Sequence, residues 1–345
     1  MRDDNTSDIS SPSLTLPHGG DLAAAEAQYG PPQQGWIDLS TGINPIPYPV
    51  GNIEAEAFSR LPEKPALDNL RLAALDYYAA PSLESVVAAP GTQALIQWLP
   101  KLRPRSRVCV ISPTYAEHAH AWRQAGHEVL VATSPDQAPE DTEVLVVVNP
   151  NNPDGVRHAP GALLETGRRL ASRGGWLIVD EAFADVTPDL GLSAHCQQDG
   201  VIILRSFGKF FGLAGLRLGF ALSNPEMAGR LNRALGPWAV SGPACDIGAR
   251  ALLDEAWIEQ TRETLATGMR RLEALLVDNG LELAGGTDLF IAARSDQAGA
   301  LHGHLAQNGI WTRVFPDHGN WVRFGQPGLP EHWRCLETAL ETWRD

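Results

Sequence analysis

Lysine is scarce in this 345-residue chain: Lys64, Lys101 and Lys209 stand alone among 27 basic residues, the rest being arginine. The four cysteines (Cys109, Cys196, Cys245, Cys335) lie far apart with no Cys-x-x-Cys pair. That spacing fits neither a zinc site nor a disulfide framework; free thiols of a reducing cytoplasm are the expectation, and no metal site is expected. No apolar run approaches the ~18–20 residues needed to span a bilayer. The start, MRDDNTSDISSPSLTLP, lacks a signal peptide's charged-then-apolar pattern, so a cytoplasmic location is expected. No basic block is present and the net charge is −14, so a nucleic-acid backbone is repelled overall, although a local basic pocket for a small anion remains compatible. Glycine and proline, 33 and 26 residues, together stay below the ~25–30% typical of low-complexity chains. No internal repeat is visible.

What is present is 43% hydrophobic residue against 20% charged, enough for large cores. At roughly 150 residues per domain, the length suggests two domains. Residues 1–17 read as a loose polar arm. From residue 85 onward short apolar runs alternate with helical stretches: 85–89, 107–111, 143–148, 176–179, 201–204 and 217–222. Runs that are apolar throughout suit strands covered on both faces, so a doubly wound, mainly parallel α/β domain is expected over 48–225. Helical patterns follow, over 226–235 and 244–278, then short strands near 287–293, 310–315 and 320–324 and a closing helix over 331–344. This predicts a smaller α+β domain over 226–345, joined by an arm of residues 1–47.

Ligands of open α/β sheets sit beyond the carboxyl ends of the strands. The first run leads into Gly91-Thr92-Gln93 and a helix, whose free N–H groups suit a phosphate, or form merely a turn. The third ends in Asn149-Pro-Asn-Asn152-Pro-Asp-Gly155, a stiff loop rich in amides. The fourth ends in Asp180, a buried carboxylate that needs a cation or strong donor, or a helix cap. The fifth leads to Ser206-Phe-Gly-Lys209, with Arg217 eight residues on. Lys209 sits among apolar and glycine residues, where desolvation lowers an amine's pKa toward Schiff-base chemistry. A phosphate turn, a strand-tip acid and a secluded lysine together describe a ligand with a phosphate, a basic ring nitrogen and an aldehyde. Pyridoxal 5′-phosphate has all three.

The order Pro-Gly-Thr-Gln, Ser-Pro-Thr-Tyr, Asn-Pro-Asn-Asn-Pro-Asp-Gly, Asp-Glu-Ala-Phe and Ser-Phe-Gly-Lys with Gly-Leu-Arg resembles the fold-type-I aminotransferases, pyridoxal-phosphate enzymes, over roughly 35–345. His18-Gly-Gly-Asp21 and Asp38-Leu-Ser-Thr-Gly-Ile-Asn-Pro45 resemble the threonine-phosphate decarboxylases of cobalamin biosynthesis, relatives of the histidinol-phosphate aminotransferases. The resemblance implies Lys209 as the lysine that holds the cofactor aldehyde and Asp180 as the partner of the ring nitrogen. It implies Asn152 as donor to the ring's 3′-oxygen and Tyr115 as the stacking ring. Gly91, Thr92, Gln93, Ser206 and Arg217 would form the phosphate cup. Arg323 would bind the substrate carboxylate, Arg313 its phosphate, and His18, Gly19 and Asn44 would complete the substrate pocket.

Three residues depart from the family pattern. Phe183 stands where relatives carry a tyrosine, Gly208 where a hydroxyl residue is frequent, and Leu61 where a tyrosine reaches the neighbouring subunit's phosphate. The implied enzyme is a homodimer that decarboxylates L-threonine O-3-phosphate. A histidinol-phosphate-type aminotransferase is the first rival, and a non-catalytic sensor that binds the cofactor is the second.

Overall fold

The computed structural model describes residues 18–315 and 318–343, so the arm expected over 1–17 lies outside the described residues. β1 (Ile37–Asp38) pairs in parallel with β11 (Ile310–Trp311). The main sheet takes β2 (Val86–Ala89), β3 (Arg107–Ile111), β4 (Glu128–Ala132), β5 (Val144–Val148), β6 (Trp176–Asp180), β7 (Val201–Ser206) and β8 (Gly219–Ser223). Their order across it is β2-β8-β7-β6-β5-β3-β4. A smaller antiparallel sheet holds β9 (Glu282–Thr287), β10 (Phe290–Arg294), β12 (Arg313–Phe315) and β13 (His318–Gly325), in the order β12-β13-β10-β9.

Alternate residues of each main strand enter opposite cores. Cys109, Leu145, Leu177 and Ile203 face one, and Val108, Val146, Ile178 and Ile202 the other. Both faces are covered, which is why these runs are apolar throughout; each such side chain buried contributes ~1.5–3 kcal/mol. β4 was not anticipated, because Glu128-Val-Leu-Val-Ala132 is a half-exposed edge strand with a partner on one side only. The sheet is also mixed: β8 runs antiparallel to both β2 and β7. Residues 207–218, between β7 and β8, form only a single helical turn and a 3-10 turn, with no crossover helix to return the chain for a parallel strand. The helical pattern over 244–278 divides into Gly242–Leu252 and Glu255–Asp278, because Asp254 caps the second helix by accepting from the Trp257 N–H at 3.1 Å.

This topology gathers one edge. β2, β3, β5, β6 and β7 share a direction, and β8 begins where they end. The segments after each strand, and Arg217 just before β8, therefore emerge together. The chain from Leu39 to Asn44 ties this edge to the small sheet: Gly325 donates to Leu39 O at 2.7 Å, and Asn44 N–H donates to Lys209 O at 3.0 Å.

Candidate active site

A cavity of about 220 Å³ opens at that edge. Gly91, Thr92, Gln93, Tyr115, Asn152, Asp180, Ser206, Lys209 and Arg217 all line it, and His18 and Gly19 lie at the same cavity. Residues from seven separate stretches of sequence thus meet around one space.

Lys209 belongs to a single helical turn, Phe207–Phe210, that begins directly at the end of β7. Its amine lies 5.6 Å from the centre of the Phe183 ring. Burial lowers its pKa to about 8, assisted by Arg323 and Arg217 and opposed by Asp180. The turn is clamped from behind by Asn44, whose side chain donates to Phe210 O at 2.9 Å and accepts from the Ile46 N–H at 2.9 Å. Asn44 is buried and absent from the cavity wall, so the structure places it beneath the lysine.

Asp180, 4% exposed, ends β6. Its Oδ2 meets His118 Nε2 at 2.9 Å, and its Oδ1 accepts from the Ala182 N–H at 3.0 Å. His118 is 2% exposed and sits in the first turn of the helix Glu117–Gln124. It supplies the strong donor that a buried strand-tip carboxylate requires.

The asparagine loop divides its labour. Asn149 exchanges hydrogen bonds with the backbone of His158. Asn151 accepts from Thr114 at 2.6 Å and donates to Pro113 O at 2.8 Å and to Asp154. Those two build the loop; Asn152 alone lines the cavity, its side-chain oxygen held by Arg323. Above it, Tyr115 donates to Gln93 Oε1 at 3.3 Å, and Gln93 donates to Glu117 Oε2 at 2.7 Å. Burial, with Glu117 and Asp180 nearby, pushes the Tyr115 phenol up to about 12.

At the opposite end Gly91 has φ +81°, and a Cβ there would lie 2.5 Å from Arg217 Nη2. The guanidinium thus packs onto the glycine at the start of the helix Thr92–Trp98, beside Ser206. The departures have local causes. At Gly208 a Cβ would lie 2.8 Å from the Ala214 backbone, so the close return toward β8 excludes a larger residue. Phe183 packs edge-on against Phe290 with ring centres 5.0 Å apart, in a space that Gly42 leaves open. Leu61 is 62% exposed and lies outside the cavity.

The two C-terminal arginines sit outside the cavity wall but face each other. Arg313 on β12 and Arg323 on β13 are directly paired across the antiparallel ladder. Arg323, 6% exposed, donates to Ser40 O at 2.6 Å and to Asn152, while its Nε has no partner. It forms no ion pair with a carboxylate among the described residues. Burial, then Arg313, lowers its pKa to about 10 against the pull of Asp38; burial also lowers Arg313. Two like charges directly opposite on neighbouring strands repel each other, and an anion bound near Arg323 relieves that repulsion.

His118, Glu117 and Ser40 were missed from sequence. The first two directly follow the Tyr115 motif, at a helix start after a buried strand, which was the available signal. Ser40 lies within the Asp38–Pro45 motif itself. Among the described residues no group of three or more His, Cys, Asp or Glu side chains is placed to hold a metal ion.

Over residues 54–331 the chain matches the family Aminotransferase class I and II. The threonine-phosphate decarboxylase of Pseudomonas aeruginosa is 47% identical over 94% of this chain and 97% of that protein. The Sinorhizobium protein of the same name is 40% identical over 91% and 94%. Among solved structures, the histidinol-phosphate aminotransferase of Sinorhizobium meliloti in complex with pyridoxal-5′-phosphate superimposes with a TM-score of 0.80 at 18% identity, covering 98% of this chain and 99% of that one. The chain therefore belongs to the class I and II aminotransferases, among the threonine-phosphate decarboxylases.

Proposed function

We propose that the protein is a pyridoxal-phosphate enzyme that decarboxylates L-threonine O-3-phosphate to (R)-1-aminopropan-2-yl phosphate, a step of cobalamin biosynthesis. The observation that carries the substrate reading is the placement of Arg313 and Arg323 opposite each other beside the lysine cavity, Arg323 buried and Arg313 half-buried: two cationic side chains on one side of the site for a small molecule with two anionic groups.

The residues fit the cofactor. Lys209 and Asp180 line one cavity with a glycine turn at Gly91, against which the Arg217 guanidinium packs so closely that a Cβ would displace it. When bound, pyridoxal 5′-phosphate supplies an aldehyde for the amine and a ring that draws electrons from the substrate's Cα. Lys209, its pKa near 8, has a sizeable neutral fraction at physiological pH and can give or take a proton at Nζ. Asp180, fixed by His118, would hold a proton on the ring nitrogen, and Asn152 would offer its amide to the 3′-oxygen, where Phe183 has no hydroxyl to give. Gly91, Thr92, Gln93, Ser206 and Arg217, which line that cavity, would grip the cofactor phosphate. Arg323 binds the substrate carboxylate through the donor left unpaired at Nε. That grip sets which bond at Cα stands free to break. Arg313 and His18 would meet the substrate phosphate; Gly19 lets the segment carrying His18 lie against the Ser40 backbone, since a Cβ there would lie 2.4 Å from Ser40 O.

The protein acts on a small substrate, and among the described residues no helix is long and apolar enough to cross a membrane. We place it in the cytoplasm as a homodimer, with residues 1–47, 48–225 and 226–345 as arm, large and small domains. Phe58 (69% exposed), Leu61 (62%) and Trp238 (59%) support the dimer, since a second copy would cover them. The test is incubation with threonine phosphate and 2-oxoglutarate. Carbon dioxide release without amino transfer is expected; rapid transfer without carbon dioxide would return the histidinol-phosphate-type aminotransferase.

A further inference from the structure

We infer that Glu117 is a positioning residue for substrate selection: acting through His18, it sets the grip on the substrate's phosphate. The inference rests on the substrate reading above. Glu117 is not part of the cavity wall, and its side chain is 12% exposed. Both carboxylate oxygens are engaged, Oε2 by Gln93 at 2.7 Å and Oε1 by His18 Nε2 at 3.1 Å. Gln93 anchors the carboxylate to the buried side of the site; His18, whose side chain is 46% exposed, is the group that it holds in place.

The segment carrying His18 is secured at a second point. Gly20 N–H donates to Ser40 Oγ at 2.7 Å, and Ser40 O accepts from Arg323 at 2.6 Å. His18 thus stands on a short strap, fixed at one end beside the carboxylate-binding arginine and at the other by Glu117. With Nε2 committed to Glu117, only Nδ1 remains for a ligand. A phosphate oxygen suits it in either proton arrangement: a doubly protonated ring donates to it, and a P–OH donates to the ring. Without Glu117 the exposed ring must be ordered at the moment of binding, which weakens the contact.

The holoenzyme is tested as wild type, E117A, E117Q, H18A and the E117A/H18A double variant. KM and kcat are measured with threonine phosphate, and calorimetry gives the Kd of the aminopropyl phosphate product, which carries the phosphate but no carboxylate. Removing a hydrogen bond to a charged group is worth roughly tenfold to a hundredfold. E117A is expected to raise KM and the product Kd by about tenfold, with most of the loss in KM, and E117Q to raise both by less. The double variant is expected to bind no more weakly than H18A, because the two residues act through one contact. Losses that multiply in the double variant, or a loss in kcat with unchanged product affinity, overturn the inference. Should E117A fail to fold, E117Q against H18A decides by the same criterion. If the wild type released no carbon dioxide, the substrate reading would fall, while product calorimetry would still report on Glu117.

Discussion

Replacing Arg323 by lysine keeps the positive charge and removes the fork. In the native protein the guanidinium spends one nitrogen on Ser40 O at 2.6 Å and another on Asn152, and its Nε, the donor proposed for the substrate carboxylate, has no partner among the described residues. An ammonium is a single donor centre on a differently shaped stem and cannot serve three acceptors in a plane. Two charge-assisted contacts are lost, each worth ~1.5–3 kcal/mol, so kcat/KM should fall by roughly 10²–10⁴. The assay is carbon dioxide release from threonine phosphate over a concentration series. Visible absorbance of the bound cofactor serves as the control, expected to persist because Arg323 lies outside the cavity wall. The retained charge keeps the repulsion that helps to depress Lys209. A loss below tenfold would refute the view that the planar donor set, rather than charge alone, orients the substrate.

Three further outcomes are expected. Capture of pyridoxal phosphate by the apoprotein, followed by stopped-flow absorbance, should accelerate with pH and level off above about pH 9. An amine with a pKa of about 8 loses its proton there, whereas an ordinary lysine, at ~10.4, would keep the rate climbing. H118N takes the imidazole from Asp180 Oδ2 and should lower kcat by roughly tenfold to a hundredfold, the worth of one hydrogen bond to a charge, in steady-state turnover at saturating cofactor. G91A forces a side chain to φ +81° and to within 2.5 Å of Arg217; strain of ~1–3 kcal/mol should weaken cofactor binding about tenfold to a hundredfold in equilibrium titrations.

Much of this was legible because burial writes a plain pattern. Strands covered on both faces must be apolar throughout, so Val144–Val148 and Trp176–Val179 declare themselves, and a polar residue at such a strand's tip, such as Asp180, stands out against them. β4 did not declare itself, being covered on one side only. The paired arginines were nameable only through the family resemblance, since an arginine on a short strand has many uses; their facing each other depends on a register between β12 and β13 that composition does not encode. Asn44 illustrates the opposite difficulty. Its motif marked it for the substrate, whereas the fold spends its amide on the lysine turn. His118 was marked only by its place at a helix start just past the Tyr115 motif, since its importance comes from a partner 62 residues away.

Beneath the cavity floor lies a last consequence. Asp180 and Glu181 are consecutive at the end of β6, as Arg205 and Ser206 are at the end of β7, and Arg205 bridges Glu181 at 2.7 Å and also Asp185 at 2.5 Å in the interior. Sliding one strand against the other by a single residue would tear that ionic knot apart, a loss of ~3–5 kcal/mol where charges are left alone in the interior. The knot works as a caliper: it locks the span between Asp180 and Ser206, which line the cavity from neighbouring strand ends. Any ligand of that cavity therefore meets a spacing set by the scaffold rather than by the side chains that touch it.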